Sequence, residues 1–152
     1  MNLGKMMSRS IIDLQLDASS KKDAIMQMSN MLFEDGRLSS RAMFIEDVYT
    51  REELETTNMD MGVAIPHSKS QAIKKTSVAL ARLKNEISWE DYGEPVKIIF
   101  MLAVSPNDKG TEHLEVISKI AELLIDDKFL KMLKKTKNIN KILKRINKLV
   151  GK

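Results

Sequence analysis

The sequence predicts an α/β fold: a single domain in which a mixed β-sheet is flanked by α-helices on both sides. Three observations carry this expectation. Strand-like and helix-like stretches are mixed through the chain rather than separated into blocks. The run Val96–Val104 (VKIIFMLAV) is almost continuously apolar, as a central strand covered on both faces must be. The strand-like run before it, SVALARL at residues 77–83, is joined to it by a turn, WEDYGEP, with no helix between, so the two are expected to be antiparallel neighbours.

Taken in order, residues 11–16 (IIDLQL) alternate and predict a first strand. Ser20 is a helix cap, Ala24, Ile25, Met28, Met31 and Leu32 share one helical face, and Gly36 suits the stop. A second helix is expected after Ser39 or Ser40, with Phe44 and Val48 four apart, ending near residues 51–54. The polar stretch 55–60 is a loop. Residues 62–66 are a short apolar run ending in proline, which predicts a strand that stops at His67. Thr111 caps a helix whose face is expected on Leu114, Ile117, Ala121 and Leu124. Behind Asn138, another apolar stripe runs through Ile139, Ile142, Leu143, Ile146 and Leu149. Many of the eleven methionines fall on helix stripes beside Ile and Leu, so they are expected to pack the core.

Composition narrows the chemistry. The chain has 152 residues, 43% hydrophobic and 30% charged, which suits one domain with a real core. Without cysteine there is no disulfide, zinc–thiolate site, iron–sulfur cluster or thiol nucleophile. The longest apolar stretch is far short of the ~20 residues of a membrane-spanning helix, and the N-terminus lacks the apolar core of a secretory signal, so a cytosolic protein is expected. The net charge of +4 is uneven: after Asp127 there is no acidic residue, and residues 129–152 hold eight lysines and one arginine. Such a tail can meet nucleic acid, lipid headgroups or an acidic partner, or can simply be a solvated helix face. Aromatics are only 5% and no helix-turn-helix signal stands out, so direct nucleic-acid binding is not expected.

Two histidines and an arginine carry the candidate chemistry. Pro66 offers no N–H, so it ends strand pairing and presents His67 at the sheet edge. Strand ends are where α/β folds build their sites. Neutral imidazole has one bare ring nitrogen, and an unperturbed pKa of ~6.5 keeps much of it neutral near pH 7, which suits reversible phosphoryl transfer. That transfer passes through a loose transition state, so positioning and positive charge do most of the work. Arg51 could supply a planar fork of donors to phosphate oxygens. His113 sits in the opening turn of a helix, where N–H groups and the dipole favour anions. From the residues alone, one shared His67–His113 site and two unrelated surface histidines both remain open. No metal-ligand spacing, G-x-S-x-G elbow or Walker loop is present, and neither a metal nor a cofactor is expected.

The segment GVAIPHSK closely resembles the active-site signature of the fructose/mannitol-type (type 2) EIIA domains of the bacterial phosphoenolpyruvate:sugar phosphotransferase system. The resemblance extends through REELETT (residues 51–57), WEDYGEPVKIIFMLAVSP and EHLEVISKIAELL, in the family's order and at its separations. It implies one domain over residues 1–152, with a core at about 9–149, and a mixed sheet flanked by helices. It implies that His67 accepts a phosphoryl group at Nε2 from the phosphocarrier HPr and passes it to a cysteine of EIIB, which serves the membrane component EIIC in sugar uptake. A backbone contact on the Nδ1 side would then orient the ring. His113 matches the family's second histidine, and Arg51 the arginine beside the phosphate. Because this chain has no cysteine, EIIB is expected as a separate chain. Nitrogen-type regulatory EIIA proteins share the signature, so phosphorylation-dependent protein binding is the alternative function. Sugar specificity and oligomeric state are not written in these motifs.

One departure stands out. Where the family reads TTGIGNG before AIPH, this chain has Asn58 and Asp60 at two of the glycine positions. Asn and Asp tolerate left-handed backbone angles, so the loop is expected to keep its shape. The Asp60 charge is expected to slow transfer or tune partner choice.

Overall fold

The computed structural model of the protein describes residues 3–107 and 111–151, with Glu112 and His113 described by backbone alone. Two short 3-10 turns, Leu3–Met6 and Arg9–Ile11, lead into β1 (Ile12–Leu16). There follow α1 (Lys21–Glu34), α2 (Arg41–Leu54), β2 (Val63–Ala64), β3 (His67–Lys69), β4 (Ser77–Ile87) and β5 (Val96–Val104), then α3 (Glu112–Leu124), α4 (Asp127–Lys135) and α5 (Ile139–Val150). Four of the helices start on a side-chain oxygen that accepts a backbone N–H three residues on: Ser20 from Asp23, Ser40 from Met43, Asp126 from Phe129, and Asn138 from Lys141.

The sheet is mixed and runs β1–β4–β5, with β2 and then β3 along the outer flank of β5. β1 is parallel to β4, β4 is antiparallel to β5, and β2 and β3 are parallel to β5. The central strand explains its own composition. Ile99, Met101 and Ala103 pack under α1 and α2, while Ile98, Phe100 and Leu102 pack under α3, α4 and α5. Both faces are covered, so neither set can be polar. The expected α/β class and the antiparallel β4–β5 pair are both present.

Two local expectations change, and one helix had no counterpart in the sequence reading. The strand expected to stop at His67 ends at Ala64, and His67 begins a further strand. Pro66 breaks the ladder for want of an N–H, but its carbonyl accepts from Leu102 N at 2.9 Å, and pairing resumes at His67 opposite Leu102. The buried face of α3 is Val116, Ile120, Leu123 and Leu124, whereas Leu114 is 58% exposed. Apolar residues span so wide an arc of this helix that two stripes obey the same three-and-four spacing, and only the sheet decides between them. Finally, α4 is a helix of its own. Its Phe129 and Leu133 are fully buried, four apart, beneath a lysine-rich surface. Buried Arg82 of β4 donates to Leu14 O at 3.2 Å, Leu133 O at 3.0 Å and Thr136 O at 2.7 Å, so it ties β1 and the end of α4 to the sheet.

Candidate functional site

The site is built from the end of α2. Phe44, Val48 and Glu52 recur every four residues on the buried stripe of that helix, which puts a carboxylate at a core position. The Glu52 side chain is 2% exposed, and a charge so placed needs partners. It accepts from Lys21 Nζ at 3.0 Å and from the Thr57 backbone N–H at 3.4 Å, and the Thr57 hydroxyl also donates to it. Burial, and then the Glu52 charge, push the neighbouring Tyr49 hydroxyl above its ordinary pKa of 10.0. Thr57 passes the anchorage on, because its carbonyl accepts from Ile65 N at 3.0 Å while Met59 N donates to Val63 O at 2.9 Å. The loop after α2 is thereby stapled to the strand that leads to His67.

The loop keeps its bends with the substituted residues. Asp60 takes a left-handed φ of +58° and Gly62 one of +78°, while Asn58 has no positive φ. Asn58 acts through its side chain: Oδ1 accepts from Asp60 N at 2.9 Å, and Nδ2 donates to Glu90 Oε1 at 2.8 Å and Glu94 O at 2.9 Å. Asp60 faces the same turn, its Oδ1 accepting from Glu94 N at 3.3 Å. This placement counts against an Asp60 effect on transfer. Gly62 O takes N–H bonds from Lys97 and Ile98, whereas His67 pairs with Leu102. Four residues of strand separate these points, about 13 Å. That exceeds the screening length of about 8 Å at physiological ionic strength.

His67 sits half-buried at the far end of this edge. Its Nδ1 lies 2.9 Å from the Ile65 carbonyl oxygen. A carbonyl can only accept, so Nδ1 carries a proton, and in the neutral ring Nε2 holds the lone pair. The Nδ1 backbone contact implied by the family resemblance is thus made by the residue two before the histidine. Arg51, in the last turn of α2, is held by a 2.8 Å bond from Nη1 to Glu55 O. Arg51 and His67 line one open groove of about 920 Å³ between α2 and β3, together with Asp47, Thr50, Ser68 and Ser70. Ser70 Oγ donates to Asp47 Oδ2 at 2.5 Å and accepts from Ala72 N, which fixes that wall of the groove.

The His113 side chain lies outside the described residues, but its backbone is in the first turn of α3. That helix follows β5, whose last residue Val104 pairs with Lys69, so α3 begins at the His67 end of the sheet. It packs on the face that carries Leu102, the register partner of His67. His67 and Arg51 therefore share a groove, and the topology brings the start of the His113 helix to the same end. Sequence reading missed Glu52, Asp47 and Ser70. Glu52 had a signal, namely a carboxylate in register with Phe44 and Val48; Asp47 and Ser70 had none, because they meet only through tertiary packing. Among the described residues, no helix is long and apolar enough to cross a membrane, and no group of three or more His, Cys, Asp or Glu could hold a metal ion.

Residues 5–149 match the family profile described as phosphoenolpyruvate-dependent sugar phosphotransferase system, EIIA 2. The PTS system 2-O-alpha-mannosyl-D-glycerate-specific EIIABC component of Escherichia coli (strain K12) is 35% identical over 84% of this chain, which spans 20% of that relative's length. The crystal structure of nitrogen regulatory protein IIA-Ntr from Neisseria meningitidis superposes with a TM-score of 0.83 and 29% identity, covering 94% of this chain and 97% of that one. The enzyme IIA of the Escherichia coli mannitol system, solved in complex with its phosphorylated enzyme IIB, gives a TM-score of 0.79 at 19% identity, covering 93% of this chain and 96% of that one, a likeness of fold. Domains of this profile are components of a phosphotransferase. With the profile spanning nearly the whole chain, the protein belongs to the type 2 EIIA family of the phosphoenolpyruvate-dependent sugar phosphotransferase system.

Proposed function

We propose that the protein is a cytoplasmic phosphoryl relay in which His67 Nε2 accepts a phosphoryl group from HPr and passes it to an EIIB serving sugar uptake. The observation that carries this reading is the 2.9 Å bond between His67 Nδ1 and Ile65 O, within a groove shared with Arg51, on a chain of this family. In the forward step the Nε2 lone pair attacks phosphorus, and the donor's bond to phosphorus breaks with its electron pair leaving on the donor. The proton stays on Nδ1 throughout, hydrogen-bonded to the Ile65 carbonyl, so the phosphorylated ring is formally cationic and its charge is balanced by the phosphoryl oxygens. In the second step a cysteine thiolate of EIIB attacks the same phosphorus, and the electrons of the P–N bond return to Nε2. Arg51 stabilises the charge on the equatorial oxygens, and the opening turn of α3, which carries His113 in its backbone, begins at the same end of the sheet. The mannosyl-glycerate relative, named as an EIIABC component, and the mannitol IIA–IIB complex support EIIB as the acceptor.

The likeness to the Neisseria IIA-Ntr protein favours a second reading, in which the phosphoryl group switches binding to a protein target. One experiment separates the two. The protein is phosphorylated with enzyme I, HPr and phosphoenolpyruvate, and EIIB proteins of several sugar systems are then added. Loss of label to one of them supports the relay. Label that enters but moves to none supports the regulatory reading. Failure to take label from HPr rejects both.

A further inference from the structure

The lysines of the C-terminal third are gathered rather than dispersed. Lys128 of α4 and Lys141, Lys144, Arg145 and Lys148 of α5 line one shallow hollow of about 440 Å³, floored by Met132. Met132 and Lys141 continue into a second hollow that adds Lys131 and Lys135. No acidic side chain lines either, and among the described residues none of these cations is in an ion pair. Like charges packed this closely repel one another, so the face is set to be neutralised from outside. It shares no lining residue with the His67 groove.

We propose that this α4–α5 face docks on an anionic lipid surface. The occupant must be acidic and broad, since seven cations on two helices line two adjoining shallow hollows and no single enclosed pocket holds them. They are lysines with a single arginine, point charges suited to a diffuse field more than to the forked pairing that base edges and single phosphates reward. The one aromatic ring of these helices, Phe129, is fully buried, so no platform for stacking a nucleobase exists here. Half-buried Met132 lines both hollows among the charges, apolar surface that headgroups can cover. The apolar stripe of α5 (Ile142, Ile146, Val150) is committed to the core, so the contact is electrostatic and peripheral, without insertion of a helix.

The test is co-sedimentation of the whole protein with vesicles of phosphatidylcholine alone or with one third phosphatidylglycerol. Each cation near an anionic surface strengthens partitioning about fivefold, so the acidic vesicles should bind at least about a hundredfold better at low salt. Binding should vanish in 0.5 M salt and in the triple variant Lys141→Glu/Lys144→Glu/Lys148→Glu. These side chains are exposed, and a wild-type circular-dichroism melt checks the variant's fold. A Lys→Gln set at the same sites should fall between. Equal binding to both vesicles, or binding that survives the triple reversal, overturns the proposal. So does tighter binding to duplex DNA of equal charge concentration, or salt-sensitive self-association with no vesicle binding.

Discussion

Replacing Glu52 with alanine tests the link between α2, the loop and His67. The carboxylate is 2% exposed and serves three donors: Lys21 Nζ, Thr57 N and the Thr57 hydroxyl. Thr57 is itself 5% exposed, so its two donors would lose their acceptor in a dry place, at about 1–3 kcal/mol each. Against this, the buried charge itself is removed, which recovers part of the desolvation cost, and Lys21, 24% exposed, can turn to water. The net loss is about 2–3 kcal/mol, or about 5–10 °C of melting temperature for a domain of this size. Glu52→Gln keeps an acceptor and should lose about half as much. Urea unfolding gives the stability, and a phosphoryl-transfer rate at low temperature shows whether the strand bearing Ile65 and His67 has loosened in the folded protein. A third readout is spectroscopic: with the Glu52 charge gone, the Tyr49 hydroxyl should titrate closer to the ordinary tyrosine range. A change below about 0.5 kcal/mol with an unmoved tyrosine titration would refute the reasoning.

Arg51→Ala should slow transfer by about a hundredfold, the usual scale for removing one preorganised donor from a developing anion, and Arg51→Lys should restore only part of it; rates within twofold of wild type would remove Arg51 from the site. Asp60→Lys should leave the transfer rate within about twofold, since the charge sits beyond the screening length from His67, and a tenfold change measured by rapid quench would contradict that geometry. Hydrogen bonds from Ser10 and then Arg37 hold the Asp35 carboxyl below its ordinary value of 3.8. Its contribution is therefore full above that value and is lost as the pH falls through the lower, folded value. Asp35→Asn should flatten the acid limb of a stability–pH curve in that window, and an unchanged limb would deny the pairing.

The fold was legible where one rule decided each element. Val96–Val104 had to be a two-sided strand because, apart from Lys97 near its start, the run has no polar face to expose. Ser20, the Ser39–Ser40 pair and Asn138 marked helix starts because capping is local chemistry, whereas Thr111 precedes α3 without a side-chain cap bond. The face of α3 was not legible, since its choice between Leu114 and Val116 depends on the sheet beneath it. At the site, histidine after proline indicated exposure at a strand end, and the family likeness gave it a role. Neither could reveal that Ile65, two residues earlier, orients the ring. Nor could they show that Asp60 points to the turn at the opposite end of the edge. Both facts depend on where β2 and β3 dock along β5.

The central claim is that His67 Nε2 carries the phosphoryl group. It is tested most directly by nitrogen NMR of the ¹⁵N-histidine-labelled protein before and after phosphorylation by enzyme I, HPr and phosphoenolpyruvate. The geometry predicts one phosphorylated imidazole, substituted at Nε2 with Nδ1 still protonated, and no labelling of His67→Ala. Substitution at Nδ1, or a phosphoryl group on His113 in place of His67, would contradict it.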